Sequence, residues 1–276
     1  AVHDGDVDIA WVTVRSLRAI GLTGADSLEA PLLIQTHAQQ REVATGLAGE
    51  IITREVKKLG VEALVMLPGP EQYPVASGAP LLDIADWVGK TVEYAPTESA
   101  DSVAALGISA FGATPSTGGT TPVADVVSGA VPVATANPVD LVAGGATKEG
   151  PFLTANLPLW PRMSMVIINS DVLDRFSTRQ HGFLEGAIER AQDLDMADPD
   201  QVTPVAEACD AGILFGVASA DQLAAYRTAV QPIYDSLSTD KKEGTLFKAI
   251  QDAVSRSIGT GSFPVPKGCK WKAPEA

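Results

Sequence analysis

The chain has 276 residues, of which 45% are hydrophobic and 20% are charged, proportions typical of a globular protein with a sizeable core. Its net charge of −14 and its lack of clustered lysines and arginines argue against a nucleic-acid partner, because phosphate binding needs a basic surface. No apolar run approaches the roughly 18–20 residues of a membrane-spanning helix, and the most apolar stretch, 163–168, has the length of a strand.

The first part of the chain is predicted to alternate strands and helices. Residues 7–12 follow an Asp-Gly-Asp turn signal and are predicted to form a strand. Apolar residues recur at helical spacing from 37 to 59, and Gly60 is a typical helix end. Residues 61–67 form the next predicted strand, which Pro-Gly-Pro closes. This order of strand, helix and strand favours an α/β fold.

The middle of the chain has a different composition. From residue 78 to 151 it becomes rich in Gly, Pro, Thr and Ala, with strands predicted at 90–95 and 131–136 and a short helix beginning at 101. We interpret this change as the start of a second lobe near residue 85.

The last third is predicted to be helical. Capping-box spacing marks two helix starts, at 177–180 and at 219–222. The second of these helices contains Pro232, which is expected to kink it. A final helix is predicted at 241–257, followed by extended coil from 259 to the end.

Sequence patterns that carry catalysis or cofactor binding are missing. Residues 107–111 lack the final glycine of a nucleophile elbow, and 112–119 lacks the Lys-Ser/Thr ending of a phosphate-binding loop. The three histidines, His3, His37 and His181, stand apart from any His or Cys at metal-ligand spacing. We therefore predict no cofactor, no metal and no enzymatic activity.

The chain contains two cysteines, Cys209 and Cys269. In an exported protein they can form a disulfide that ties the C-terminal tail to the body of the protein. The alternative is a buried thiol at Cys209 and a free thiol in the tail. Spacing leaves both open, because a disulfide depends on local geometry.

Four sequence segments together carry a family resemblance. They are Gly-Asp-Val-Asp-Ile-Ala-Trp with Ala-Pro-Leu-Leu-Ile in 5–34, Asp-Trp-Val-Gly-Lys with Leu-Gly and Gly-Ala-Thr-Pro in 86–115, Leu-Pro-Leu-Trp-Pro-Arg in 157–173, and Ala-Cys-Asp-Ala-Gly in 208–234. In this order they resemble the extracytoplasmic solute-binding proteins of TRAP transporters (DctP-like, bacterial solute-binding protein family 7), most closely an actinobacterial-type subgroup. Each motif is moderately specific, and together they cover nearly the whole chain.

The resemblance implies a two-lobed α/β fold, like that of periplasmic binding proteins, with crossing strands and a long helix in the C-terminal half. The lobes would close on one ligand like a clamshell. Residues 1–85 and 168–205 would form lobe I, 86–167 and 206–258 lobe II, and 259–276 a C-terminal tail.

The function that the resemblance implies is transport. A secreted receptor, made with a signal peptide and periplasmic or held at the cell surface, with a lipid anchor as one option, would deliver a small organic solute to the membrane subunits of an ion-driven TRAP permease. Two alternatives remain open: a ligand-sensing module of a signalling system, and an enzyme on a two-lobed scaffold, since fold does not fix function.

Two departures from the family pattern affect these expectations. Family members carry a strand, a helix and a further strand before the segment that matches residues 5–11, so we expect the given sequence to be a fragment. The family's usual carboxylate-binding arginine, which follows the Asp-x-x-Gly-Lys motif, is matched here by Glu93. A carboxylate there would repel an anionic ligand, whereas an arginine fork grips one.

The resemblance also indicates which residues would surround the ligand: Trp11, Thr13, Arg15, Glu93, Tyr94, Asn137, Trp160 and Arg162. Strand alternation turns only one of Glu93 and Tyr94 into the cleft, and we expect Glu93. Arg15 is either a carboxylate partner or a surface arginine, Asn137 a ligand contact or a turn residue, and Trp160 a stacking partner or a hydrophobic plug. Glu93 with nearby aromatic rings favours a neutral, zwitterionic or cationic solute over a dianion.

Overall fold

The computed structural model describes residues 1–22, 24–94, 102–116, 122–195, 202–257, 259 and 261–273. A few predicted positions lie outside the described residues, namely the strand end at 95, the helix start at 101, the last residues of the 112–119 segment, and residues 258, 260 and 274–276.

The described chain is a mixed α/β structure. In chain order its strands and helices are β1 (Ile9–Thr13), α1 (His37–Thr45), α2 (Leu47–Lys57), β2 (Val61–Leu67), β3 (Glu71–Ala76), β4 (Thr91–Glu93), α3 (Val103–Ala110), β5 (Thr114–Ser116), α4 (Pro122–Ser128), β6 (Val133–Ala136), α5 (Pro138–Ala143), β7 (Phe152–Thr154), β8 (Trp160–Pro161), β9 (Ser164–Asn169), α6 (Ser170–Leu173), α7 (Thr178–Asp195), α8 (Val202–Asp210), β10 (Phe215–Gly216), α9 (Ala220–Thr239) and α10 (Gly244–Arg256). Short 3₁₀ helices cover Val14–Ile20, Asp26–Glu29, Ile84–Trp87 and Lys267–Cys269.

The strands form two sheets. The smaller has the order β1-β9-β2 with antiparallel pairs, and the larger has the order β10-β7-β3-β6-β4-β5, with β8 paired to β3. The larger sheet is mixed, because β4 runs parallel to β5 and β6 while β3 runs antiparallel to β6 and β7. The α/β fold with two sheets and crossing strands confirms the predicted fold class.

The chain crosses between the sheets at two adjacent places. It leaves β2 for β3 through Pro68–Pro70, and it returns from β8 to β9 through Arg162 and Met163. The two crossings touch, since the amide of Arg162 donates to the carbonyl of Pro70 at 3.1 Å. A side chain on Gly69 would come within 1.9 Å of the Arg162 carbonyl oxygen, so only glycine allows this approach.

The lobe boundaries differ from the predicted ones in two places. β3 pairs with β6 and β7 of the larger sheet, although residues up to 85 were predicted to belong with lobe I. α10 packs on α1 and α2 beside the smaller sheet, although 206–258 was predicted to belong with lobe II. The change in amino-acid composition indicates where the sequence changes character. It does not indicate which sheet a later helix packs against.

The predicted helix at 37–59 is two helices. Gly46 has extended backbone angles (φ −100°, ψ −167°), which end α1 and begin α2. Periodicity continued across this glycine because both helices bury one apolar face against the same core, through residues such as Val43 and Ile52.

α9 is the predicted long helix, and it runs through Pro232. Near its start Tyr226 accepts a hydrogen bond from Trp87 Nε1 at 2.7 Å, and further along Tyr234 donates to the carbonyl of Pro31 at 2.5 Å. The helix therefore touches segments on both sides of the crossing strands. Its predicted capping box is present, as is that of α7.

The C-terminal tail packs against the larger sheet. Phe263 contacts the rings of Tyr73 and Phe215, with centroids 5.2 and 5.5 Å apart. Of the two cysteine alternatives, the structure shows the disulfide: Cys209 of α8 is bonded to Cys269, with Cα atoms 5.6 Å apart. The tail that was predicted to be coil is thus held against the larger sheet by the disulfide and by aromatic contacts.

α7 is the least covered helix among the described elements. None of residues 178–194 is buried, and Phe183 and Leu194 are 63% and 81% exposed. Within the described residues, none of the helices combines the length and apolar character that crossing a bilayer requires.

Candidate ligand-binding site

A cavity of about 490 Å³ lies where the two sheets meet at the crossing strands. This volume falls in the usual range for small-molecule sites, about 300–1,000 Å³. Its lining residues come from both sheets, from helices α1, α5 and α8, from the crossings and from the tail: Trp11, Thr13, His37, Pro68, Gly69, Pro70, Glu71, Tyr73, Asn137, Pro138, Val139, Arg162, Ser164, Pro204 and Phe263.

The smaller sheet contributes the edge strand β1 and the central strand β9. Trp11 and Thr13 are two residues apart and so point to the same side of β1. Trp11 is 68% exposed, whereas the hydroxyl of Thr13 is hydrogen-bonded to that of Ser16 at 2.6 Å. Ser164 of β9 is the register partner of Thr13, which brings a second hydroxyl to the same wall.

Arg162 stands at the crossing from β8 to β9. Its backbone is fixed by the bond to Pro70, and its side chain lines the cavity. Within the described part of the chain, its guanidinium has no hydrogen bond and no ion pair. Arg162 therefore places a positive charge at the cavity, where a guanidinium can form an ion pair with an anionic ligand group.

A second arginine lies behind this wall. Arg15 is buried, and its Nε is 2.5 Å from the Glu29 carboxylate, which is also buried. Burial raises the pKa of Glu29 more than the adjacent guanidinium of Arg15 lowers it, and burial likewise lowers the pKa of Arg15. The positive charge of Arg15 is thus matched by Glu29 inside the protein.

Glu71 opens β3 at the cavity wall and is held by a buried glutamine of α1. Gln40 donates from Nε2 to Glu71 Oε1 at 3.0 Å and to the Gly69 carbonyl at 2.9 Å, and it accepts from the Gly69 amide at 2.7 Å. Burial raises the pKa of Glu71, and the bond from Gln40 opposes this only partly. One glutamine therefore fixes both the crossing and the carboxyl group.

The larger sheet contributes the start of α5. Asn137 caps this helix: its Oδ1 accepts from the amides of Val139 and Asp140 at 2.9 and 3.1 Å, and its Nδ2 donates to Asp140 Oδ2 at 2.8 Å. Pro138 and Val139 then present apolar atoms to the cavity. The amide of Asn137 is thus engaged in the helix cap that the Asn-Pro pattern also predicts.

The structure brings four of the predicted ligand contacts, Trp11, Thr13, Asn137 and Arg162, together in one cavity. The other four predicted residues do not line it. Arg15, Glu93, Tyr94 and Trp160 are all buried, with at most 5% of their surface exposed. Among the described residues, Trp160 Nε1 has no hydrogen-bond partner, and its ring lies in the main core as the plug alternative describes.

Glu93 and Tyr94 are buried because of their position in the larger sheet. β4 lies between β5 and β6, so its two edges are both paired. Neither residue lines the cavity, although strand alternation was expected to turn Glu93 into it. Glu93, the residue on which the expectation of a cationic solute rested, therefore does not face this cavity.

Sequence reasoning missed Tyr73, Glu71 and Phe263. Tyr73 and Glu71 belong to β3, for which no strand was predicted; it follows a Pro-Gly-Pro stretch and contains Pro74, both of which are typical of a loop. Phe263 lies in the tail that was predicted to be coil. The cysteine pair was the available signal, because a disulfide at Cys269 requires the preceding tail to lie against the body of the protein.

Comparison with known proteins finds similarity in structure only. No protein-family model matches the sequence, and no curated protein matches it either. A TRAP periplasmic solute-binding protein from Ralstonia eutropha H16, with bound (S)-2-acetolactate, superposes with a TM-score of 0.78 at 16% identity, covering 93% of this chain and 82% of that one.

Two further solved structures are similar to the same degree. A TRAP periplasmic solute-binding protein from Ochrobactrum anthropi, with its C-terminus bound in its ligand-binding pocket, gives a TM-score of 0.80 at 16% identity over 92% of this chain and 78% of that one. The periplasmic ectoine-binding protein of the TeaABC TRAP transporter of Halomonas elongata gives 0.77 at 16% identity over 93% and 85%. At these identities the likeness establishes a shared fold.

Proposed function

We propose that the protein is an extracytoplasmic receptor that captures a small organic solute and passes it to the membrane subunits of a TRAP-type permease. The observation that carries this proposal is the cavity at the crossing strands, lined from both sheets and containing Arg162, whose guanidinium has no hydrogen-bond or ion-pair partner among the described residues. A cleft between two lobes is where binding proteins of this architecture hold a ligand.

The shared fold supports the transport reading. The similar structures named above are all solute-binding proteins of TRAP systems; one holds acetolactate and another is an ectoine-binding protein. The disulfide between Cys209 and Cys269 supports an oxidising location outside the cytoplasm. Together these observations favour a periplasmic or cell-surface receptor, made as a precursor with a signal peptide.

The charge of the cavity favours an organic acid over a cationic or zwitterionic solute. Glu93, which motivated the cationic option, is buried away from the cavity. The remaining acidic lining residue, Glu71, has a raised pKa and is bound to Gln40. Arg162 thus supplies the charge that a ligand would meet.

An enzymatic alternative would need an acid, base or nucleophile set around this cavity. Its carboxyl group, Glu71, is bound to Gln40, and the Thr13 hydroxyl to Ser16. His37 and Ser164 also line the cavity, so a turnover assay decides this alternative. A ligand-sensing module would have the same kind of binding site but a different partner protein. A transport experiment therefore distinguishes it from a transport receptor.

Three measurements test the proposal. A thermal-shift screen of organic acids, amino acids, sugars and compatible solutes should find ligands that raise the unfolding temperature, since binding to the native state stabilises it. Calorimetry should then give one site per chain. Cells carrying the receptor with its permease subunits should accumulate that ligand, and loss of uptake on deleting the permease separates transport from sensing. Turnover of the bound solute would contradict the proposal.

A further inference from the structure

The geometry points to a monocarboxylate with an apolar body as the ligand: its carboxylate would pair with Arg162, and its body would lie against the proline-rich and aromatic wall of the cavity. This ligand class rests on the proposed function and narrows it, because it excludes dicarboxylates and polyhydroxylated sugar acids as the preferred cargo.

The number of available charges argues for one carboxylate. Of the lining residues in the described chain, Arg162 is the single one with a permanent positive charge. The nearby Arg15 is already neutralised by Glu29 and is buried behind the wall. A second ligand carboxylate would therefore have no cation to pair with and would lose its hydration without compensation.

Ser164 supplies a hydroxyl to the same cavity. It begins β9 two residues after Arg162, and both residues line the cavity. Within the described residues, the Ser164 hydroxyl has no side-chain hydrogen bond. Arg162 and Ser164 together can hold a carboxylate, or a carboxylate with one adjacent oxygen.

Three other polar side chains that line the cavity already have hydrogen-bond partners. The Asn137 amide uses both its oxygen and its nitrogen in the cap of α5. Thr13 is bonded to Ser16, and Glu71 to Gln40. A sugar acid needs several free donors and acceptors for its hydroxyls, and burying an unpaired hydroxyl is unfavourable.

Apart from His37 and Gly69, the rest of the wall is apolar. It consists of proline rings, aromatic rings and one valine from the crossings, both sheets, helices α5 and α8 and the tail: Trp11, Pro68, Pro70, Tyr73, Pro138, Val139, Pro204 and Phe263. Proline side chains offer no hydrogen bonds, so this surface gains free energy by covering an aliphatic or aromatic body. Because the amide of Asn137 is used in the cap of α5 and this wall is apolar, both features favour a ligand with an apolar body and few hydroxyl groups.

Isothermal titration calorimetry on the intact, oxidised chain tests the ligand class. The probes are phenylacetate, 4-methyl-2-oxopentanoate, the uncharged matched analogue phenylacetamide, succinate and galacturonate. We expect at least one of the two monocarboxylates to bind more tightly than succinate and galacturonate, and phenylacetamide to bind at least about tenfold more weakly than phenylacetate, because it lacks the charge that Arg162 meets.

Variants of Arg162 test the anchor. Arg162→Gln should weaken binding of the monocarboxylate about a hundredfold, and Arg162→Lys about tenfold, since lysine keeps the charge but loses the two-pronged geometry. Arg190→Gln, an exposed arginine on α7, is the matched control and should bind as the unaltered protein does. Circular dichroism and urea unfolding verify that each variant is folded.

The outcomes separate this inference from the proposed function. Tighter binding of succinate or galacturonate than of both monocarboxylates overturns the ligand class, as does unchanged monocarboxylate binding by folded Arg162→Gln. If neither monocarboxylate binds while the thermal-shift screen finds another solute, the ligand class is wrong and the receptor function stands. If no solute of any class binds, the proposed function fails as well.

Discussion

Removing the Cys209–Cys269 disulfide should both destabilise the protein and weaken its binding site. The bond closes a loop with a sequence separation of 60. In the loop-entropy treatment, a loop of this length restricts the unfolded chain by about 4 kcal/mol at 25 °C. For a chain of this size that corresponds to a fall in unfolding temperature on the order of 10 °C.

The binding effect follows from the position of the tail. Phe263 lies six residues before Cys269 and packs between Tyr73 and Phe215 at the cavity wall. When Cys269 is released, ring contacts and a few backbone bonds hold the tail, so Phe263 leaves the wall more often. We expect ligand affinity to fall by less than about tenfold, because only part of the apolar wall is lost.

Urea unfolding of the oxidised protein, the reduced protein and the Cys209→Ser/Cys269→Ser variant gives the comparison. The reduced protein and the variant should agree with each other, and adding reductant to the variant should change nothing. A loss of stability below about 1 kcal/mol would refute the argument, since the loop entropy would then play no part. Full retention of ligand affinity would refute the role given to Phe263.

Three further substitutions test the site and the fold. Glu71→Gln should stabilise the protein at neutral pH. Burial raises the pKa of Glu71. The contribution of Glu71 to the free energy of unfolding is therefore most favourable below the ordinary pKa of glutamate, and it is lost as the pH rises through the pKa of Glu71 in the folded protein. Gly69→Ala should cost about 1–3 kcal/mol, since its Cβ would meet the Arg162 carbonyl at 1.9 Å. Tyr226→Phe should cost about 1–3 kcal/mol by leaving the buried Trp87 Nε1 unpaired.

Each of these substitutions has a control. For Glu71→Gln, the difference from the unaltered protein should vanish at a pH below the ordinary pKa of glutamate, and a difference that persists there contradicts the pKa argument. Gly182→Ala in α7 is the control for Gly69→Ala, because a Cβ at Gly182 meets nothing within 4 Å. Tyr234→Phe, at a partly buried hydroxyl, should cost less than Tyr226→Phe; equal costs would contradict the role of burial.

Several parts of the fold could be predicted because local chemistry determines them. Ser219 and Gln222 form the expected capping box of α9, a pattern that depends on residues three positions apart. β3 could not be predicted in this way, since Pro74 and the preceding Pro-Gly-Pro are typical of a loop. It is a strand because β6 and β7 pair with it from distant parts of the chain.

The same distinction between local and distant determinants applies to the residues of the candidate site. Trp11 and Thr13 were predictable, because alternation on one strand decides which way they point. Glu93 and Tyr94 were not, because whether a strand end opens into a cleft depends on its neighbours, and here β5 and β6 enclose β4. Phe263 reaches the cavity from the far end of the chain, a placement that depends on one covalent bond.

The touching crossings also bear on the order of events during capture. Arg162 is fixed by its amide to Pro70, on the segment about which any rocking of one sheet against the other would pivot. A backbone on a pivot moves least, so the Cα of Arg162 would keep nearly the same position whether the cleft is wide or narrow. Under the proposed receptor function, we expect a solute to meet Arg162 first and to be enclosed by Val139 and Phe263 afterwards. Encounter rate would then depend on ionic strength, whereas residence time would depend on the apolar wall.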